Sequence, residues 1–552
     1  MQIVVPMSGF GERFRRAGYK VPKPLIEVDG KPIIAHIIDL FPGETDILFI
    51  CNQEHLDDGK FGMREFLSRY CPTSRVVSIQ PHKLGPVHAV LEAANAIALD
   101  MPTIVTYCDF GCFWDYVDFR KFVRETNCDG AVVCYRGFHP HMLRNTSYGY
   151  VQETGRIVSD YREKESFTND PMSEFVSTGM YYFISGALML EACRAAIKKD
   201  LSTNGEYYVS LTYKPLLDAE RNIAVYEVPH FMQWGTPDDL ADYQHWSELF
   251  NALIQPINNP PQSGTLLIPA AGLGSRFLAD GYAAPKPLIQ VSGKPMLLQA
   301  LRDLPVAERT RVVLRADQPQ HANIVTTLKN CDPRIDIVTL DSLTEGQAQT
   351  CLRALDGINL DKPLTIGACD NGIIYDAAAF QSLMDDQTVD VIVWGIRGHP
   401  EAARQPQMFG WIDSTDDGRI QRISVKEPLT DPTLDPIVLG TFTFKRAHYF
   451  SVSATHMIER KGSINGEFYV DECINDSVTL GMNCCLLEVN HYLGWGTPND
   501  LKTFEYWQSC FHKWPAHRYR LHLDAHVHPS HLTSLDKRYA WQQPMRPKGQ
   551  GH

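Results

Sequence analysis

Two short blocks of sequence combine glycines with an arginine at a spacing that suits phosphate chemistry. Residues 9–13 read Gly-Phe-Gly-Glu-Arg, and residues 272–276 read Gly-Leu-Gly-Ser-Arg. Glycine lets the backbone turn tightly and approach a ligand, so successive N–H groups can surround phosphate oxygens. An arginine in such a loop can add bidentate hydrogen bonds to the outer phosphates. The candidate phosphate ligands are therefore Gly9, Gly11, Arg13, Gly272, Gly274 and Arg276.

A lysine between two prolines follows each glycine block. Lys23 and Lys286 both occupy this Pro-Lys-Pro context, and a Gly-Lys-Pro turn follows each of them. A Gly-x-Gly pair alone is common in turns, and the dinucleotide fingerprint is absent because Phe14 and Phe277 occupy its third glycine position. Proline restricts the backbone and so gives each lysine a fixed direction. The combination favours a triphosphate site over a structural loop.

The same motifs recur along most of the chain, which indicates an internal repeat. The offset is 263 residues at the glycine blocks and 261 or 262 further on, where Cys-Asp, Asn-Gly-Glu and Trp-Gly-Thr-Pro recur. A whole domain present twice explains this constancy. A proline-rich stretch without periodicity separates the copies. We predict a first domain at 1–250, a linker at 251–264, a second domain at 265–510 and a histidine-rich tail at 511–552.

Short apolar runs alternate with amphipathic stretches in each copy. Runs such as 2–6, 46–51 and 103–107 read as buried strands, and 85–99 reads as a helix. This alternation is typical of an α/β fold with a mainly parallel sheet and helices on both faces. We therefore expect two tandem Rossmann-like domains. Ligands of such sheets bind at the carboxyl ends of the strands.

These motifs resemble the sugar-phosphate nucleotidyltransferases, a family that includes glucose-1-phosphate thymidylyltransferases and mannose-1-phosphate guanylyltransferases. The signature is GxGxR(L/F) followed by KP(L/M) and GKP, and both copies carry it, so the resemblance covers about 1–245 and 265–507. It implies that Arg13 and Arg276 hold the leaving pyrophosphate. It also implies that Lys23 and Lys286 lie on the α-phosphate of the nucleotide.

The resemblance further implies a base-reading loop and a magnesium site. Gln80 and Gly85 would meet the nucleotide base in the first copy, and Asp341 and Gly346 in the second, although a surface loop that caps the next helix is an equal alternative. The change from glutamine to aspartate suggests different nucleotides or one silent copy. The expected Mg²⁺ ligands, each at a strand end, are Asp109 and Asp370.

The sequence departs from the family at the second metal aspartate. Gln233 and Gly494 occupy that position, and neither supplies a charged ligand. The sequence leaves three alternatives open: one carboxylate is enough to bind the metal, a neighbouring aspartate replaces the missing one, or catalysis is impaired. The candidate substitutes are Asp238, Asp239 and Asp500. Asp115 and Asp376 also repeat, and we interpret them as helix caps.

The resemblance also implies an acceptor site for a phosphorylated sugar or alcohol. Lys164 and Lys426 would pair with the acceptor phosphate, and Glu163 would contact sugar hydroxyls, but Val425 replaces that glutamate in the second copy. The first copy therefore carries the fuller set. The remaining expected acceptor-site residues are Gly149, Gly179, Glu206, Gly410, Gly440 and Glu467.

Composition narrows the functional classes. A formal charge of −13 argues against a broad nucleic-acid surface. No apolar run is long enough for a membrane span, and the first residues do not read as a signal peptide. Fourteen scattered cysteines without a CxxC pair are typical of free thiols in a reducing cytoplasm. We expect the histidine-rich tail to form a docking strand or a flexible, oligomer-contacting segment rather than a metal site. We expect the repeated Trp234 and Trp495 to serve packing.

Two hypotheses follow. The first is an enzyme that joins an NTP to a sugar phosphate or similar phosphorylated alcohol, with Mg²⁺, and releases pyrophosphate, with surface polysaccharide synthesis as the expected use of the product. The second is a regulatory protein that binds nucleotide sugars with one or both copies silent. A glycosyltransferase fits the fold class but lacks its usual Asp-x-Asp motif, since Phe110 and Asn371 follow the two strand-end aspartates.

Overall fold

The computed structural model describes residues 1–540 and divides the chain into two compact units. The first unit contains Met1–Ser247 and Ser509–Arg518, with residues 539–540. The second contains Glu248–Gln508 and Tyr519–Arg538. Residues 541–552 of the expected tail lie outside the described residues.

The first unit alternates strands and helices. Its strands are β1 (Gln2–Met7), β2 (Glu27–Val28), β3 (Lys31–Pro32), β4 (Ile47–Asn52), β5 (Arg75–Ile79), β6 (Thr103–Thr106), β7 (Phe110–Phe113), β8 (Gly130–Tyr135), β9 (Gly149–Thr154), β10 (Ile157–Glu163), β11 (Phe175–Phe183), β12 (Ile223–Glu227) and β13 (His230–Gln233). Its helices are α1 (Glu12–Arg16), α2 (Ile33–Asp39), α3 (Gln53–Asp57), α4 (Met63–Tyr70), α5 (Pro86–Glu92), α6 (Tyr116–Thr126), α7 (Gly186–Lys198), α8 (Tyr213–Asp218) and the first part of α9 (Pro237–Leu253).

The main sheet of the first unit has nine strands in the order β5-β4-β1-β6-β11-β8-β12-β10-β9. Strands β5, β4, β1 and β6 are parallel, whereas β11 runs antiparallel to both of its neighbours β6 and β8. Both faces are buried, because Ile3 and Val5 pack into one apolar cluster while Val4 packs into the other. This arrangement confirms the expected α/β class. The expected helix at 85–99 is shorter, ending at Glu92 before a 3₁₀ turn.

The second unit has the same kinds of elements. Its strands are β14 (Pro261–Pro269), β15 (Gln290–Val291), β16 (Lys294–Pro295), β17 (Val306–Arg315), β18 (Asp336–Leu340), β19 (Leu364–Ile366), β20 (Asn371–Ile374), β21 (Val391–Ile396), β22 (Gly410–Ser414), β23 (Ile420–Val425), β24 (Ile437–Phe444), β25 (Cys484–Glu488) and β26 (His491–Gly494). Its helices are the end of α9, α10 (Ser275–Ala279), α11 (Met296–Arg302), α12 (His321–Cys331), α13 (Gln347–Arg353), α14 (Ala377–Asp385), α15 (Pro400–Arg404), α16 (Ala447–Glu459), α17 (Val470–Thr479), most of α18 (Pro498–Lys513) and most of α19 (Leu532–Tyr539).

The main sheet of the second unit follows the order β18-β17-β14-β19-β24-β21-β25, and β22 and β23 join it through β24. Each strand takes the place of its counterpart in the first sheet. Strand β24 is again antiparallel to both of its neighbours. The carboxyl ends of β14 and β19 therefore lie side by side, as those of β1 and β6 do in the first unit.

The segment before β14 and the tail contain more helix than the sequence suggested. Helix α9 extends to Leu253 and β14 begins at Pro261, so both intrude into the expected linker. After α18, the described part of the tail forms 3₁₀ turns and α19 rather than a strand. Within the second unit, the side chain of His526 is 7% exposed, and its Nε2 lies 2.7 Å from Oδ1 of Asp303. This tail segment is therefore tied into the core of its unit.

Two further expectations concern cysteines and membranes. All fourteen cysteines fall within the described residues, and each is a free thiol. No helix in residues 1–540 combines the length and the apolar character that crossing a bilayer requires.

Candidate functional site

The two glycine loops follow the first strand of each sheet. Gly11 (φ 63°) and Gly274 (φ 62°) adopt left-handed backbone conformations where α1 and α10 begin. Such a φ favours glycine, because a side chain would be strained there. No heavy atom lies within 4 Å of a Cβ built on Gly9 or Gly272. The loops therefore leave open space beside their backbone, as a ligand requires.

Lys23 reaches from the loop after α1 to the end of β6. Its Nζ donates to Oδ2 of Asp109 at 2.7 Å and to the carbonyl of Gly235 at 3.1 Å. A Cβ on Gly11 would lie 3.7 Å from Cβ of Lys23, so the glycine loop and the lysine are adjacent. The lysine side chain is only 16% exposed. The structure thus brings together three of the residues that the sequence singled out, while Arg13 lies exposed at the rim.

The second unit repeats this arrangement. Nζ of Lys286 donates to Oδ2 of Asp370 and, at 3.4 Å, to the carbonyl of Gly496. Burial alone would lower the pKa of Lys286, but the Asp370 carboxylate and Cys369 outweigh it, so the pKa is raised. The amine is therefore held as a cation. Arg276 is exposed at the loop, as its counterpart is.

The candidates for a second metal aspartate differ between the units. In the first, Asp239 accepts a hydrogen bond from Oγ1 of Thr236 at 2.7 Å and pairs with Arg144 at 3.0 Å. In the second, Asp500 accepts from the backbone N–H of Thr497 at 2.9 Å, and burial followed by the nearby Asp370 raises its pKa. In the second unit, the negative charge of Asp370 thus contributes to the raised pKa of Asp500.

Two smaller expectations are confirmed. Asp115 and Asp376 cap α6 and α14 by accepting hydrogen bonds from backbone N–H groups. Trp234 and Trp495 are fully buried packing residues, and their backbone N–H groups donate to the carbonyls of Asp109 and Asp370. Within residues 1–540, no group of three or more His, Cys, Asp or Glu side chains is arranged to hold a metal.

Close backbone contacts within the fold explain why both expected base-loop positions are glycine. Gly85 (φ 89°) precedes α5, and a Cβ there would lie 2.7 Å from the backbone nitrogen of Tyr207. Gly346 meets the backbone of Phe468 in the same way. Backbone hydrogen bonds join each pair of segments, with Tyr207 N donating to Leu84 O at 2.9 Å. The accompanying residues of the base loop, Gln80 and Asp341, are exposed.

Replacing Gly85 with alanine is expected to lower the free energy of unfolding by about 3 kcal/mol, because backbone strain and overpacking add. Gly62 (φ 60°) provides the matched control, since no heavy atom lies within 4 Å of a Cβ built there. Gly62→Ala should cost about 1 kcal/mol from backbone strain alone. Guanidinium denaturation of the full chain measures both, and equal costs would contradict the close approach.

The expected acceptor residues of the first unit form one cluster. Nζ of Lys164 donates to the hydroxyl of Tyr208 at 2.8 Å, and that hydroxyl donates to Glu206. Oε2 of Glu163 accepts from Oγ of Ser210 at 2.6 Å. Burial raises the pKa of Glu163, although the hydrogen bond from Ser210 and the charge of Lys164 oppose the shift. A cation and a carboxylate therefore stand side by side.

Two glycines line this cluster. Gly149 pairs with Glu163 in the β9–β10 ladder, and Gly179 (φ 94°) lies against the ring of Tyr107. Tyr208 and Ser210 also belong to this cluster and were not among the residues expected from the sequence. A usable signal existed for the tyrosine, because Tyr469 repeats it at the same offset.

In the second unit, Nζ of Lys426 donates to the hydroxyl of Tyr469 at 2.9 Å, and Tyr469 donates to Glu467. Gly410 pairs with Val425 in the β22–β23 ladder, so no carboxylate comes from that strand position. A Cβ built on Gly440 (φ 68°) would lie 3.5 Å from Cβ of Ala368. The lysine–tyrosine–glutamate set is thus present in both units.

Comparison with known proteins identifies a protein family that matches part of the chain. Residues 4–242 match the model of the nucleotidyl transferase family. The match spans less than half of the chain and lies in its amino-terminal part. The resemblance drawn from the glycine loop and the Pro-Lys-Pro motif is therefore confirmed for this part.

Several proteins are similar to part of the chain. A mannose-1-phosphate guanyltransferase from Schizosaccharomyces pombe is 26% identical over 36% of this chain and 54% of its own length. The bifunctional protein GlmU from Ralstonia nicotianae is 25% identical over 38% of this chain and 43% of its own. The chain thus spans about half the length of these curated relatives. The crystal structure of a nucleoside-diphosphate-sugar pyrophosphorylase from Vibrio cholerae superposes with a TM-score of 0.37 at 21% identity, covering 44% of this chain and 99% of that one.

Proposed function

We propose that the chain is an enzyme that joins an NTP to a sugar phosphate or similar phosphorylated alcohol and releases pyrophosphate. The observation that carries the proposal is the position of Lys23, fixed at 2.7 Å from Asp109 beside the open glycine loop of a nucleotidyltransferase domain. The curated relatives include a mannose-1-phosphate guanyltransferase, which supports a sugar phosphate as acceptor. A role in surface polysaccharide synthesis is the expected use of such a product.

In the proposed reaction, the bonds form and break between the two substrates, and the protein positions them and stabilises charge. An oxygen of the acceptor phosphate attacks the α-phosphorus, the bond to the β-phosphate oxygen breaks, and pyrophosphate leaves with that electron pair. The acceptor phosphate is already an anion, so no general base is needed. Lys23 stabilises charge that develops on the α-phosphate, and the glycine loop with Arg13 holds the leaving group. Lys164 orients the acceptor phosphate.

A divalent cation fits the donor set. Mg²⁺ takes one or two carboxylates and fills its remaining positions with phosphate oxygens and water. Asp109 offers one carboxylate in the first unit. In the second, a Cβ built on Gly496 would lie 3.3 Å from Oδ2 of Asp370 and 3.9 Å from Oδ2 of Asp500, so two carboxylates border the same space. The bound ion would offset negative charge on the triphosphate.

We further propose that the second unit is a second nucleotidyltransferase domain. Its strand order, its glycine loop and its lysine–aspartate pair match those of the first unit. The change from Gln80 to Asp341 at the base loop supports a different nucleotide in each unit. The competing proposal, a silent second unit that senses a nucleotide sugar, keeps binding but not turnover.

A pyrophosphate-release screen tests the proposal. The full chain is incubated with each of the four NTPs against a panel of sugar and polyol phosphates, with Mg²⁺. We expect release that needs both an NTP and an acceptor. Comparison with Lys23→Ala and Lys286→Ala then assigns each activity to a unit. If no combination releases pyrophosphate above the rate of the double variant, the proposed activity is wrong.

A further inference from the structure

The acceptor clusters of the two units differ at two corresponding positions. In the first unit, Glu163 lies opposite Gly149 in the sheet, and Ser210 donates to its carboxylate. In the second unit, valine stands at the glutamate position, but aspartate stands at the serine position as Asp471. One carboxylate is lost and another is gained within the same cluster.

The carboxylate that is gained in the second unit lies beside the glycine that corresponds to Gly149. A Cβ built on Gly149 would lie 3.1 Å from Oε2 of Glu163. A Cβ built on Gly410 would lie 2.6 Å from Oδ2 of Asp471. Although the first oxygen comes from a strand and the second from the start of α17, both approach the glycine at the edge of the acceptor pocket. The position of the negative charge is therefore kept while its source changes.

The surroundings of Asp471 suit a ligand-binding group. Burial raises its pKa to about 6, whereas the backbone and the charge of Lys426 oppose that shift. Asp471 also occupies the first turn of α17, where the helix dipole stabilises a negative charge. The carboxylate of Asp471 is therefore within the electrostatic influence of Lys426, the lysine expected to bind the acceptor phosphate.

We propose that Asp471 is the acceptor-binding carboxylate of the second unit and takes the place that Glu163 has in the first. It would accept hydrogen bonds from the hydroxyl groups of a phosphorylated sugar or polyol. This inference rests on the proposed function. It also means that Val425 does not mark a defective site.

The exchange predicts that the two units prefer different acceptors. Asp471 reaches the pocket from a helix start with a side chain one methylene shorter than that of Glu163. In addition, a Cβ on Gly179 would lie 2.9 Å from the ring of Tyr107, but the corresponding position beside Gly440 holds only Ala368. The second pocket therefore has more room on that side, and a bulkier phosphorylated acceptor fits it.

The test uses the full chain with Lys164→Ala, so that acceptor binding reports the second unit. In this background, Asp471→Asn is expected to raise the acceptor KM, and the acceptor Kd from calorimetry, about tenfold, as for one lost hydrogen bond to a charged group. The KM for the NTP should stay within about twofold, since the aspartate does not touch the triphosphate. Asp413→Asn is the matched control, because this aspartate lies on β22 and pairs with Arg422 at the surface.

A charge-relocation variant separates ligand binding from a purely structural role at the start of α17. Val425→Glu combined with Asp471→Ser restores the arrangement of the first unit and should return the acceptor KM and Kd to near their starting values. The inference is overturned if Asp471→Asn leaves both values unchanged, or if the Lys164→Ala chain binds no acceptor phosphate. Failure of the proposed function would look different, because the parent chain would release no pyrophosphate while calorimetry still detected acceptor binding.

Discussion

Lys23→Ala is expected to lower kcat of the first unit about 10²- to 10³-fold, the usual effect of removing one group that stabilises transition-state charge. The measurement is made in a Lys286→Ala background, so that turnover reports the first unit alone. The KM for the NTP should change less, because the glycine loop and Arg13 still hold the outer phosphates. The ammonium group contributes mainly when charge builds up at the α-phosphorus.

Lys20→Ala controls for loss of a cation near Lys23 in the sequence. Lys20 is exposed three residues earlier and belongs to neither the loop nor the acceptor cluster. Its removal should leave kcat unchanged. If Lys23→Ala retains the turnover of its parent while its circular dichroism and melting temperature match, Lys23 has no part in the chemistry.

His526→Asn is expected to lower the free energy of unfolding of the second unit by about 3 kcal/mol, because it leaves the buried carboxylate of Asp303 without its cation. The two groups lie 2.7 Å apart, and Asp303 with the adjacent Asp524 raises the pKa of the imidazole to about 9 despite the opposing effect of burial. Denaturant unfolding of the full chain measures the loss. His522→Asn, an exposed histidine of the same segment, should change little.

The His526–Asp303 pair also makes the free energy of unfolding depend on pH. The pKa of His526 in the folded protein lies above the ordinary value of 6.5. The ion pair therefore stabilises the fold fully below pH 6.5, and this stabilisation is lost as the pH rises through about 9. The difference between wild type and His526→Asn should therefore shrink toward that of a neutral hydrogen bond near pH 10. A constant difference between pH 6 and pH 10 would show that no proton is held there.

The placement of the loop residues could be predicted from the sequence because their residue types are constrained locally. Glycines with positive φ, prolines on both sides of a lysine and an aspartate after a strand can each be recognised without a partner. The α/β class follows from the strand and helix periodicity, and the strands at 2–7 and 47–52 begin and end within one residue of expectation.

The acceptor site was harder to predict because its residues come from distant segments. Asp471 approaches Gly410 only once α17 has packed against β23, and its counterpart in the first unit is a serine. A search for repeated carboxylates therefore passes over it. Gly85 shows the converse case, since its glycine is explained by close contact with the backbone of Tyr207 as well as by a nucleotide.

The tail shows a third limit. Its many histidines suggested a docking segment, yet the sequence does not reveal that His526 becomes buried beside Asp303. Burial of a polar residue depends on the partner that tertiary structure supplies, and that partner lies more than two hundred residues away. Composition alone cannot identify such a pair.

The fate of labelled phosphates tests the central claim most directly. The full chain is given an acceptor phosphate and the preferred NTP, labelled with ³²P at either the α- or the γ-position, and the Lys23→Ala, Lys286→Ala double variant serves as the blank. We predict that the α-label enters the nucleotide-linked product and that the γ-label appears only in pyrophosphate. Transfer of the γ-label to the acceptor, or an α-label that never leaves the NTP, would contradict the account.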